Sequence, residues 1–90
     1  MDPISRRVRG LLYLLSDIGA GLRKEGRGET ALNVGGMGKR FALLSPRECV
    51  EESRQLLEGV LLGERNLPPD LIGLILDAVG AADEILREFP

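Results

Sequence analysis

The side chains able to do covalent or acid–base chemistry are few in this sequence, and their spacing does not bring them together. There is no histidine and only one cysteine. The chain therefore lacks the usual general base at neutral pH, the commonest zinc ligand and any Ser-His or Cys-His pair. A lone cysteine without histidine completes neither a tetrahedral zinc site of familiar spacing nor a disulfide within the chain. Cys49 falls on the apolar face of a helical pattern, where a thiol packs as a small hydrophobe instead of acting as a nucleophile. Glu51-Glu52 and Asp83-Glu84 are adjacent carboxylates. Neighbours on a helix diverge by about 100°, so neither pair converges as an acid–base dyad, and both read as solvated faces. Asp83 lies near an apolar margin, placed to pair with an arginine such as Arg7 or Arg23 across a helix interface. No enzyme, metal or cofactor is expected.

Two further features bear on binding. Gly35-Gly36-Met37-Gly38-Lys39 has the residue types of a phosphate-cradling loop, in which backbone amides and a lysine hold phosphates. That motif needs Ser or Thr after the lysine and a helix behind it. Arg40 and Phe41 follow here, so a plain turn is expected. The densest basic sites are Arg23-Lys24-Glu25-Gly26-Arg27 and Lys39-Arg40. If the glycine turn folds back on the end of the first helix, Arg23, Lys24, Lys39 and Arg40 gather into one patch for an anion or an acidic partner.

The elements that must position these residues are mostly helical. Asp2-Pro3 opens a first helix over residues 3–24, with Asp2 as cap and Pro3 in the first turn. Ile4, Val8, Leu11, Leu15, Ile18 and Leu22 then recur at steps of three and four along one face. Tyr13 points the opposite way, near Arg6 and Arg9. Ser45-Pro46-Arg47-Glu48 has the spacing of a capping box and starts a helix over 46–62, whose apolar face holds Cys49, Leu56, Leu57 and Val60. A last helix spans 69–88. Its apolar positions cover about 200° of the wheel at 100° per residue, more than one neighbour can bury. Between the first two helices, Thr30–Val34 and Arg40–Leu44 flank the glycines. A short β-hairpin, or a glycine-rich loop, is expected over 30–44.

Ninety residues make one small domain, of a size often marginal unless it oligomerises. No run of about 18 uninterrupted apolar residues exists, so no membrane span is expected. The arginines at 6, 7 and 9 precede an apolar run too short for a signal peptide, which points to a cytoplasmic protein. The net charge of −2 hides an asymmetry: residues 1–40 carry +4 and residues 41–90 carry −6. The two halves should attract one another, within a chain or between copies, or else present a basic face to a polyanion. Only three residues are aromatic, against a base-stacking platform.

The fold expected is thus mostly α, with three helices and a short hairpin between the first and second. The expected function is a non-enzymatic protein–protein interaction or assembly module, self-associating as a homodimer through Leu71, Leu74, Ala78 and Ile85 of the last helix, besides binding some other protein. The alternative is a small nucleic-acid-binding regulator that uses the basic half and the Gly-Lys-Arg segment.

Overall fold

A computed structural model describes residues 3–89. In chain order the elements are α1 (Pro3–Lys24), α2 (Gly28–Gly35), the single turn α3 (Met37–Arg40), a 3-10 turn (Phe41–Leu43), α4 (Pro46–Gly63) and α5 (Pro69–Glu88). All three long helices begin with proline, whose missing N–H costs nothing in a first turn. Asp2, the expected cap of α1, lies outside the described residues. Ser45 caps α4: its hydroxyl accepts from the Glu48 amide at 3.2 Å and donates to the Glu48 carboxylate at 2.9 Å. α1 stops at Gly26, which takes φ +75°, while the Arg27 amide returns to the Leu22 carbonyl at 2.9 Å. That left-handed step satisfies carbonyls the helix end would leave bare.

The hairpin is not formed, and no strand occurs among the described residues. Residues 28–43 are instead α2, α3 and the 3-10 turn. Hairpin turns need positive φ, and among the described glycines only Gly26 has it; Gly36 sits at φ −71°, ψ −13°, in the helical region. The segment follows a helical period instead. Ala31, Val34 and Met37 recur every third residue and are all buried. Burying that stripe on α1 outweighs the poor helix propensity of the glycines.

α1 packs between α2 and α5, and α4 packs on α5. Val8, Leu11, Leu15, Ile18 and Leu22 of α1 meet Ile75, Ala78 and Ala82 of α5 and Leu57 of α4 in one core. α1 and α5 are antiparallel: Arg7 pairs with Glu88 at one end, and Gly21 lies against Leu71 at the other. Most of the wide apolar arc of α5 is therefore covered within the chain, with Leu76 left 54% exposed. Leu71, Ala78 and Ile85 are buried and Leu74 is half-buried, so the surplus apolar surface that suggested a dimer through these four is largely used up.

Cross-half attraction is visible inside the chain, in the pairs Arg7–Glu88, Arg27–Glu64 and Arg40–Glu52. Asp83 does pair across a helix interface, but with Arg54 of α4 and not with Arg7 or Arg23. Among the described residues no helix is long and apolar enough to cross a membrane.

Candidate functional site

Where α1 crosses α2 the backbones approach closely. A Cβ on Gly19 would lie 3.4 Å from the Ala31 carbonyl oxygen and 3.7 Å from the Gly35 nitrogen. Small residues at this crossing leave a groove floored by backbone along one flank of α1. Two clefts make it up and share Ser16 and Gly35. One, of about 400 Å³, has Arg9, Leu12 and Tyr13 on its walls. The other, of about 410 Å³, has Ala20, Arg23, Leu32 and Lys39. Along α1, Arg9, Ser16 and Arg23 follow at steps of seven, so they share a face.

Two large apolar side chains rise at this groove into water. Tyr13 is 72% exposed and Leu32 69%. Arg9, Arg23 and Lys39 are exposed beside them, and none makes an ion pair among the described residues. Unpaired cations next to unburied apolar surface suit an anionic, partly apolar partner.

Only part of the expected basic patch is assembled here. Arg23 and Lys39 line one cleft. Arg40 turns into a neighbouring cleft of about 490 Å³ against α4, where Glu52 holds it at 2.9 Å. Lys24 lines a cleft on the opposite flank of α1, with Asp17 and Asp70. Adjacent residues on a helix diverge by about 100°, so Arg23-Lys24 and Lys39-Arg40 each split between two surfaces. Sequence reasoning missed Leu32, Ser16 and the role of Arg9. The seven-residue step from Arg9 to Ser16 to Arg23 was the available signal.

The start of α2 is pinned from the other side. Arg27 meets Glu64 at 2.5 Å and also donates to the Arg65 carbonyl, and the Thr30 hydroxyl donates to Glu64. The hydrogen bond from Thr30, then that from Arg27, holds the Glu64 carboxyl below its ordinary range. This clamp ties α2 to the α4–α5 connection and so fixes the far wall of the groove.

The remaining reactive groups stay apart from the groove. Cys49 is wholly buried, and desolvation pushes its thiol up, against a smaller opposite effect of the hydrogen bond with Ser53. Among the described residues no three Cys, Asp or Glu side chains are grouped so as to hold a metal ion. Comparison of the chain with protein-family models, curated proteins and solved structures finds no match.

Proposed function

We propose that this chain is a non-enzymatic protein–protein interaction module, docking an acidic and partly apolar protein surface on the groove between α1 and the α2–α3 segment. The observation that carries it is the conjunction there of exposed Tyr13 and Leu32 with the unpaired Arg9, Arg23 and Lys39. Apolar contacts supply affinity in such a site, while cations set orientation and encounter rate. A phosphate backbone would use the cations but leave Leu32 without a role, and the Gly-Lys-Arg segment divides its two cations between separate surfaces.

The test is a titration followed by amide chemical shifts. An acidic amphipathic helical peptide should perturb residues 9–23 and 31–39, and a basic peptide of the same apolar pattern should not. Perturbation of the same residues by duplex DNA but not by the peptide, with a steep salt dependence, would replace this proposal with nucleic-acid binding.

A further inference from the structure

We infer, building on the docking face proposed above, that its occupant is a second copy of this chain, related by a two-fold axis running along α1. The acidic counterpart lies on α5. Asp70, Asp77 and Glu84 follow at steps of seven, are exposed, and make no ion pair among the described residues. Three of the four glutamates of α4 differ: Glu51, Glu52 and Glu58 are each already held by an arginine.

The spacing of the two charge stripes matches. Arg9 to Arg23 and Asp70 to Glu84 both span fourteen residues, or about 21 Å of helix. Their levels match as well, because the antiparallel packing puts Arg7 by Glu88 and Gly21 by Leu71. Glu84 thus stands near the level of Arg9 along α1, and Asp70 near that of Arg23. The groove lies on one flank of α1 and the α5 stripe on the other, with Tyr13 on the ridge between them. A half-turn about an axis parallel to α1 keeps levels and exchanges flanks. It brings Arg9 to Glu84 of the second copy and Arg23 to Asp70 of the second copy, twice over.

Shape agrees with charge. Gly73 and Gly80 are exposed beside the acidic stripe, and a Cβ on either would meet nothing within 4 Å. These leave shallow places on α5 opposite a groove whose walls carry the protruding Leu32 and Tyr13. Arg6 and Lys24, which share the ridge with Tyr13, would approach their own copies, but both are exposed and screened by water. A standard interface takes about 800 Å² from each partner. The chain measures 37 × 22 × 19 Å, so such a contact would occupy most of this broad face. Its ion pairs would be rim-exposed and salt-sensitive.

Analytical ultracentrifugation across a concentration series tests the dimer. The unmodified protein should approach the mass of two chains at low salt and shift toward one chain at about 0.5 M salt. Arg9→Glu with Arg23→Glu, and separately Asp70→Lys with Glu84→Lys, should each give monomers. Mixing the two variants should restore a two-chain species, because opposite charges then face each other on both flanks. The neutral pair Asp70→Asn with Glu84→Gln should weaken association roughly tenfold, and circular dichroism reports whether each variant is folded. A monomer at every concentration overturns the dimer and leaves the docking face to the peptide titration. Mass rising beyond two chains, or variants that stay dimeric alone, also overturns it.

Discussion

Replacing Gly35 and Gly38 with alanine should stabilise this protein, and the sign of that effect tests the whole central segment. Both residues are helical, at negative φ, and a Cβ on either meets no atom within 4 Å. In a helix interior, alanine is favoured over glycine by about 1 kcal/mol. Gly35 ends α2 and Gly38 lies in a one-turn helix, so about half of that should be realised at each, or ~1 kcal/mol together. For a domain of this size, that raises Tm by about 4–8 °C. Gly26→Ala should do the reverse and cost about 1–2 kcal/mol, since its φ of +75° is a left-handed conformation. Gly36→Ala is crowded, with its new Cβ 3.0 Å from the Leu32 carbonyl oxygen, and should gain nothing. Thermal and urea unfolding of the four variants measure all of this. Loss of stability in Gly35→Ala or Gly38→Ala, with an unchanged urea slope, would mean that these glycines serve a turn of positive φ and that the helical segment is wrong. The same methyl at Gly35 stands on the floor shared by both clefts. A more stable Gly35→Ala protein should therefore dock a partner less well.

Ser45→Ala should lower stability by about 0.5–2 kcal/mol through loss of the α4 cap, read from the urea midpoint. Glu64→Gln should flatten the acid limb of the stability profile. The folded carboxyl titrates below its unfolded value, so its contribution is complete above that value and disappears as pH falls through the lowered one. Equal acid sensitivity in both proteins would refute the clamp. Cys49 should resist a thiol reagent in native protein and react at the rate of unfolding, because it is buried and its thiol is pushed up. Tyr13→Ser and Leu32→Ser should abolish docking in the peptide titration and change stability by less than about 0.5 kcal/mol, since both side chains are already in water.

The long helices were legible because their signals are local. A proline in the first turn, a Ser-Pro-Arg-Glu start and steps of three and four each act within a few residues, and α1, α4 and α5 fall where those signals put them. The central segment was not, because glycine reports only what the backbone is free to do. Whether Gly35, Gly36 and Gly38 turn or continue a helix depends on the burial of Ala31, Val34 and Met37 against α1, a tertiary contact. The basic patch is assembled only in part, with Arg23 and Lys39 in one cleft, for a different reason. Proximity in sequence stood in for proximity in space, although the divergence of helical neighbours, already applied to Glu51-Glu52, separates Arg23 from Lys24 and Lys39 from Arg40. The pairing of Asp83 was anticipated in kind, while its partner Arg54 depended on how α4 lies against α5.

Exposure alone does not single out the groove. Leu62 and Leu43 are 89% and 87% exposed, more so than Leu32, and scattered surface leucines are ordinary in soluble proteins. Neither lines any of the clefts described above. Leu32 differs in its neighbours: it borders two adjoining clefts, and in one of them Lys39 and Arg23 make no ion pair among the described residues. Arg40, one residue from Lys39, does have one in Glu52. Pairing is thus available to cations on this side of the molecule, and Arg23 and Lys39 at the groove do not use it. A desolvated partner there would gain from burying Leu32 and Tyr13, and from neutralising cations the chain does not itself neutralise. Leu62 and Leu43 line none of those clefts, so burying them would not neutralise Arg23 or Lys39. The contrast of Leu32 with Leu62 and Leu43 therefore separates surface that is merely apolar from surface that is apolar and charged in a way another molecule can satisfy.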